Sequence, residues 1–245
     1  MRTPRVYEPQ PLASGELIQL DDFAAQHLGR ALRMQAGDAI RLFNGDGAEY
    51  AAVLEEVGRK RVAVRVGERS EPAVESLLRI ELGQGLSRGE RMDFAVQKAT
   101  ELGVCSITPI QTERCEVRLN AEREQKRTQH WQTVAVSAAE QSGRTRVPDI
   151  HTPQGLSAWL QQVDAELKLV LHPDASEALV DLPVPASVAL LIGPEGGLSE
   201  AEVAAAQAAG FRAMALGPRV LRTETAPVAA LSLLQYLWGD LGARE

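Results

Sequence analysis

From Leu77 onward the chain repeats one pattern. Short apolar runs, Leu77 to Leu82, Ser106 to Ile110, Leu167 to Leu171, Val188 to Ile192 and Ala213 to Leu216, alternate with longer stretches of helical character. A strand buried on both faces reads as a continuous apolar run, and an intervening helix provides the crossover that parallel pairing needs. The alternation predicts an α/β fold with a mostly parallel sheet covered by helices. The helices carry their own signals. Met92, Val96, Ala99 and Leu102 fall at helical spacing, with Gly103 as a stop. Ser199-Glu200-Ala201-Glu202 is a capping box opening a helix that ends near Gly210, and Pro227 suits the first turn of a last helix from about Thr225 to Leu241. Aromatics are only 4%, so Ala and Leu carry much of the core, which favours helices over a large all-β sandwich.

The segment Leu17 to Glu68 has a different character. Asp21 and Asp22 are N-caps for a helix running to about Met34, and strand-like runs follow at Ala39 to Phe43, Glu49 to Val57 and Arg61 to Val66. Turn residues separate them at Asn44-Gly45-Asp46-Gly47 and Gly58-Arg59-Lys60. The polar, proline-bearing stretch Ser70 to Ser76 suits a linker, which predicts a small β-rich domain over 1–72 and a larger α/β domain over 73–245. A length of 245 residues accommodates both. The net charge of −7 argues against a protein that coats nucleic acid through bulk charge, and leaves room for a local basic patch. Cys105 and Cys115 form no CxxC, so neither a disulfide framework nor a zinc cluster is expected, and a reducing cytosol fits best. No signal-length apolar stretch follows Met1, and the apolar runs are too short to span a bilayer, so the expectation is a soluble, unsecreted protein.

Two loops concentrate the chemistry. Leu190 to Ser199 reads as an apolar strand, the loop Gly193-Pro194-Glu195-Gly196-Gly197 and a capped helix. Ligands of open α/β sheets bind beyond the carboxyl ends of strands, where glycines allow close approach, and Gly196 and Gly217 are expected to leave room for one. The loop is neither GxGxxG nor GxxxxGK[ST], so the dinucleotide and P-loop mechanisms lack their residues. The alternative is a tight turn with no ligand. The second loop, Leu216 to Thr225, holds Arg219, Arg222, Thr223, Glu224 and Thr225 where a helix start needs one cap. A solvated loop capped by Thr223 or Thr225 is the alternative there. The four histidines, His27, His130, His151 and His172, show no paired metal-ligand spacing, and no metal is expected.

These loops, together with Gln97-Lys98-Ala99-Thr100-Glu101-Leu102-Gly103, Ala138-Ala139-Glu140-Gln141-Ser142-Gly143-Arg144, Gly85-Leu86-Ser87-Arg88-Gly89-Glu90-Arg91 and Glu113-Arg114-Cys115, resemble the ribosomal RNA small subunit methyltransferase E family of the SPOUT superfamily. The resemblance implies a PUA-like β-barrel followed by a trefoil-knotted domain that binds S-adenosylmethionine. It further implies a cytoplasmic homodimer that methylates N3 of one uridine in the 16S ribosomal RNA of the small subunit. For the cofactor it points to Leu171 and His172, to Ile192, Gly193, Pro194, Glu195, Gly196 and Gly197, and to Leu216, Gly217, Val220, Leu221, Arg222 and Thr223. The missing nucleotide motifs weigh against a nucleotide-dependent enzyme of another class, and the paired loops weigh against a noncatalytic RNA-binding adaptor.

Uridine N3 carries a proton between two carbonyls and must lose it when attacking a methyl sulfonium. Arg222 is the candidate for stabilising charge on the pyrimidine, and Glu224 or Glu195 for accepting the proton. The competing reading has Arg222 and Glu224 paired with each other or with a second subunit. For RNA the candidates are Arg2, Arg5, Arg30 and Arg33 in the small domain and Arg88, Lys98, Arg114 and Arg144 in the large one, with Arg30 and Arg33 sharing a face of the early helix. Arg123, Lys126 and Arg127, interleaved with Glu122 and Glu124, read as an exposed helix face. Val228, Leu231, Leu234, Leu237 and Trp238 form an apolar face on the last helix, suited to a dimer or to packing on its own sheet.

Overall fold

The computed structural model describes residues 3–26, 28–29, 32–58, 61–117, 119–172, 175, 179 and 182–242. The chain divides into two compact units, Met1–Glu75 with Ala139–Val147, and Ser76–Ala138 with Pro148–Glu245. Among the described residues no helix is long and apolar enough to cross a membrane.

The first unit contains β1 (Arg5–Tyr7), β2 (Leu17–Gln19), α1 (Asp22–Gln26), β3 (Ala39–Phe43), β4 (Glu49–Val57) and β5 (Val62–Ser70). Its five-stranded sheet has the order β1-β3-β4-β5-β2, antiparallel except for β1 beside β3. Along β4 the period of two is visible: Tyr50, Ala52 and Leu54 are buried, whereas Ala51, Val53 and Glu55 are exposed. The inward residues join Val6, Ile18, Leu28, Ile40, Leu42 and Val64 in one core. The β3–β4 turn forms as its sequence dictates, with Asn44 Oδ1 accepting from Asp46 N at 3.2 Å and Asp46 Oδ1 from Ala48 N at 2.7 Å.

Asp21 caps α1, its Oδ1 accepting from Ala24 N at 2.7 Å, but α1 ends at Gln26 rather than near Met34. Arg33 has a φ of 53°, a left-handed backbone that no helix can include. The face expected to pair Arg30 with Arg33 is therefore not formed at Arg33, which is exposed on a non-helical segment. Arg2 and Arg30 lie outside the described residues.

Two other arginines expected at the surface are internal. Arg5 Nε donates to Glu49 Oε2 at 2.7 Å, Nη1 donates to Ala139 O at 3.0 Å, Nη2 donates to Arg144 O at 2.9 Å, and its guanidinium lies 4.7 Å from the centre of the Phe43 ring. Arg144 donates through Nε and Nη2 to Glu75 Oε2 at 3.0 and 2.7 Å. Side-chain exposures of 6% and 8% take both out of the set that can meet a phosphate. A buried guanidinium needs its partners, and these two have them inside the first unit.

The second unit runs β6 (Arg79–Gly85), α2 (Glu90–Glu101), β7 (Ser106–Gln111), α3 (Ala121–Ser142), β8 (Asp149–Ile150), β9 (Gln154–Gly155), α4 (Leu156–Gln162), β10 (Leu167–Leu171), β11 (Ser187–Ile192), α5 (Glu200–Ala208), β12 (Arg212–Met214) and α6 (Thr225–Trp238), the last turn of α3 grouping with the first unit. The sheet order is β12-β10-β11-β6-β7-β8, with β9 also on β7, and every pairing is parallel. This is the α/β architecture that the alternation predicts. On one face, Val170, Ala189 and Leu191 pack with Leu156, Trp159 and Leu160 of α4, Ala206 of α5 and Phe211. Leu169 and Leu190, pointing the other way by the strand period, are fully buried as well. The α5 capping box is complete: Ser199 Oγ accepts from Glu202 N, and the Glu202 carboxylate accepts from Ser199 N.

Helix α6 packs beside α2, and its buried Gln235 donates through Nε2 to Leu102 O at 2.9 Å. Leu231 and Leu234 are completely buried within this unit. That removes them from the face expected to meet a second copy; Val228, Leu237 and Trp238 are half-buried and Tyr236 is 65% exposed.

Candidate active site

The carboxyl ends of β10, β11 and β12 are neighbours in the sheet, so the loops that leave them converge. Together they wall a cavity of about 640 Å³. Among the described residues, its lining includes Leu171 and His172 after β10, Ile192, Gly193, Pro194, Glu195 and Gly197 after β11, and Leu216, Gly217, Val220, Leu221, Arg222 and Thr223 after β12. These are the residues expected to hold a cofactor, with the exception of Gly196. Glu224, expected as a proton acceptor, also lines the cavity. Arg219, within the loop expected to enclose the cofactor, lines it too; Arg91, Leu198 and Ala226 line it without having been expected, and Arg114, expected to meet RNA, is also in the wall.

Of the two glycines expected to leave room for a ligand, Gly217 lines the cavity and Gly196 does not. A Cβ on Gly196 would lie 2.9 Å from Arg114 Cβ and 3.1 Å from Arg114 O, so Gly196 admits the Arg114 segment rather than a ligand. Gly217 has open space where a Cβ would be, as expected, and its φ of 84° also suits glycine to the backbone turn. A tighter approach than at Gly196 is made at the neighbouring strand. A Cβ on Gly85, at the end of β6, would stand 2.3 Å from Pro194 N, so only glycine lets the β11 loop fold over β6.

A buried polar cluster ties these loops together. Thr223 Oγ1 donates to Gly193 O at 3.1 Å, accepts from Gln84 Nε2 at 3.2 Å and lies 3.2 Å from Ser87 Oγ. Ser87 Oγ can also donate to Gly85 O at 3.2 Å. Thr223 is thus an internal clasp between the β6, β11 and β12 loops and not a helix cap. The start of α6 is held instead by the Arg222 carbonyl, which accepts from Thr225 N and Ala226 N, both at 2.9 Å. Gln84 is fully buried, and its Oε1 has no hydrogen-bond partner. Sequence reasoning missed Gln84, although one uncharged amide in an otherwise apolar strand end was visible.

Charged groups gather at the rim. Arg222 is 79% exposed and its Nη1 lies 4.0 Å from Glu224 Oε1, a loose pair. Glu195 Oε1 accepts from Arg91 Nη1 at 3.0 Å and from Arg88 N at 3.3 Å. Burial alone would raise the Glu195 carboxyl; the backbone N–H groups of Glu195 and Arg88 and the Arg91 guanidinium outweigh it and hold the group below its ordinary value. Arg88 Nε pairs with Glu116 Oε2 at 3.0 Å, and Arg114 Nη1 donates to the carbonyls of Gly196 and Leu198 at 3.3 and 3.4 Å. Lys98 pairs with Glu101 within α2 and does not line the cavity. Such a cleft can enclose an apolar-faced molecule of cofactor size while presenting both signs of charge at one edge.

The chain matches two family models, the RNA methyltransferase domain over residues 74–235 and the RNA methyltransferase PUA domain over residues 20–67. It is 34% identical over 242 residues to the ribosomal RNA small subunit methyltransferase E of Buchnera aphidicola subsp. Schizaphis graminum, covering 98% of each chain. It is 35% identical over 222 residues to the Bacillus subtilis protein of the same name, covering 86% of each. The solved ribosomal RNA small subunit methyltransferase E of Neisseria gonorrhoeae, bound to S-adenosyl methionine, superposes with a TM-score of 0.92 at 39% identity, over 98% of this chain and 99% of that one. A Legionella pneumophila protein solved with bound SAM gives a TM-score of 0.95 at 45% identity, over 98% and 100%. With a parallel sheet, a small antiparallel unit and a cleft at the expected loops, the chain belongs to the ribosomal RNA small subunit methyltransferase E family of RNA methyltransferases.

Proposed function

We propose that the chain transfers a methyl group from S-adenosylmethionine to N3 of a uridine in the 16S ribosomal RNA of the small ribosomal subunit. The observation that carries this reading is the convergence of three strand-end loops on one cavity with Arg222 and Glu224 at its edge. The cavity fits the cofactor: about 640 Å³ lies within the range of small-molecule sites, and Leu171, Ile192, Leu198, Leu216 and Leu221 offer apolar walls to an adenine. The carboxylates of Glu195 and Glu224 suit a neighbouring sulfonium. Bound S-adenosylmethionine supplies an electrophilic methyl group.

The chain's own residues do the rest. Arg222 cannot lose its charge near neutral pH, so it serves as an electrostatic partner for an anionic uracil and not as a base. Glu224, at the cavity edge beside Arg222, is the proton acceptor, since Glu195 is held low and engaged by Arg91. The first unit, matching the PUA model, contacts RNA. The protein acts in the cytoplasm as a homodimer built on Val228, Tyr236, Leu237 and Trp238, with the trefoil-knotted SPOUT topology of its family.

Transfer of labelled methyl groups to 16S RNA, with an N3-blocked uridine as control, tests the reaction; label on the blocked substrate, or none on RNA that binds, overturns the reading. Arg222→Ala tests the residue. Its side chain is exposed and its carboxylate contact long, so the melting curve stays in place while single-turnover methylation falls about 100-fold, the scale of losing one charge-stabilising donor. Normal turnover would remove Arg222 from the mechanism.

A further inference from the structure

We propose that Arg88 and Arg91 form a clamp for an RNA backbone phosphate, and that Glu116 and Glu195 occupy it in the RNA-free protein. The proposal rests on the methyltransferase reading above and deepens it. Arg88 precedes α2 and Arg91 lies in its first turn, and both line a depression of about 480 Å³ with Gly89, Glu90 and Glu116. Arg91 also lines the main cavity, so the depression adjoins the site where a base would be methylated.

Each guanidinium is held by a carboxylate. Arg88 Nε stands 3.0 Å from Glu116 Oε2, and Arg91 Nη1 stands 3.0 Å from Glu195 Oε1. A carboxylate offers a guanidinium the same forked pair of acceptor oxygens as a phosphate, so one replaces the other with little change in geometry. The exchange is cheapest at Arg88, where both partners are well exposed and pairs of that kind are held by about 0–1 kcal/mol; at Arg91 the Glu195 side chain is only 24% exposed and the pair is firmer. A phosphate arriving with the RNA, by contrast, releases condensed counterions when an arginine neutralises it.

The arrangement answers a problem set by the total charge. A chain of net charge −7 must concentrate its RNA attraction locally, and here cations at the cleft are balanced by the chain's own acids until RNA displaces them. The displacement at Arg91 has a second effect. Glu195 sits in the β11 loop between Pro194 and Gly196, so phosphate binding takes Arg91 from a carboxylate that stays held by the Arg88 N–H, and links RNA arrival to that loop.

The test is RNA binding as a function of salt. With a 16S fragment as probe, Arg88→Ala and Arg91→Ala should each lower the slope of log affinity against log salt by about 0.7, the increment for one lost contact to a single strand. Arg88 lies outside the cofactor cavity, so S-adenosylmethionine affinity in Arg88→Ala should stay within twofold. Glu116→Gln removes a competing carboxylate and should tighten RNA binding by up to about fivefold. Unaltered slopes in both arginine variants, or RNA binding unchanged or weakened by Glu116→Gln, overturns the clamp. A wild-type protein that binds the fragment without methylating it would refute the functional reading and leave the clamp to be judged by the slopes.

Discussion

Removing the Thr223 hydroxyl is a sharp perturbation because so much meets at one oxygen. In Thr223→Val the shape is kept, but Gly193 O loses its donor and Gln84 Nε2 keeps only a 3.4 Å contact to Gly85 O. Gln84 Oε1 has no partner to begin with, so a fully buried amide becomes almost unsatisfied. Each orphaned buried group costs about 1–3 kcal/mol, and two of them give a loss of about 3 kcal/mol. For a unit of this size that lowers the melting temperature by about 6–12 °C. Thr223→Ser retains the hydroxyl and isolates the methyl. The informative variant is the pair Thr223→Val with Gln84→Met, in which donor and acceptor are replaced by apolar groups of similar shape. It should recover about 1–2 kcal/mol over Thr223→Val alone, because a matched removal is nearly neutral where a half-removal is not. The assay is thermal unfolding of the four proteins beside calorimetric titration with S-adenosylmethionine. A Thr223→Val protein that melts with Thr223→Ser, or a double variant no better than the single one, would refute the account of the clasp.

Two further outcomes follow from buried contacts. Glu49 is buried between Arg5 and Arg41; burial pushes its carboxyl up, but the two arginines outweigh that and hold it below the ordinary 4.5. Its stabilising contribution is therefore complete above pH 4.5 and fades as pH falls through the lower folded value. Glu49→Gln strands Arg5 and should destabilise the first unit by about 3 kcal/mol at neutral pH, with little of the acid dependence left; amide exchange at Leu42 and Leu54 reads both, and parallel pH profiles would contradict them. Gly196→Val places its side chain against Arg114, 2.9 Å from Cβ to Cβ, and should lower stability by about 1–3 kcal/mol while weakening cofactor binding through the displaced loop. A melting curve identical to the wild type's would disprove the contact.

Much of the second unit is legible in the order of its residues. β10 spans Leu167–Leu171 as its apolar run does, and the Ser199 capping box forms with both of its bonds. β3 and β4 also match their runs, because alternation on a half-buried sheet is a local property. What escapes the sequence is what depends on distant partners. β8 and β9 have two residues each, too few to carry a period, and exist because β7 lies beside them. Arg5 and Arg144 look like any exposed cation until Glu49 and Glu75, 44 and 69 residues away, are brought to them. The site follows the same rule. Its loops are recognisable, but Arg91 enters the wall only because α2 starts beside the β11 loop, and Gln84 matters only because Thr223 meets it from 139 residues further along the chain.

The near-contact of Gly85 with Pro194 has a consequence for the birth of the protein. That contact needs β6 and β11 in register, Leu82 against Leu190, strands separated by more than a hundred residues of intervening chain. Closing so long a loop defers the reward of pairing, and parallel sheets built this way are slow to mature. On the ribosome, β6 must wait with its edge unmatched while the residues as far as Pro194 are synthesised and released from the exit tunnel, since domains form as their sequence emerges. A nascent chain halted before that point has no cleft, however well its first unit has folded, so S-adenosylmethionine can stabilise only chains that have been translated past the β11 loop.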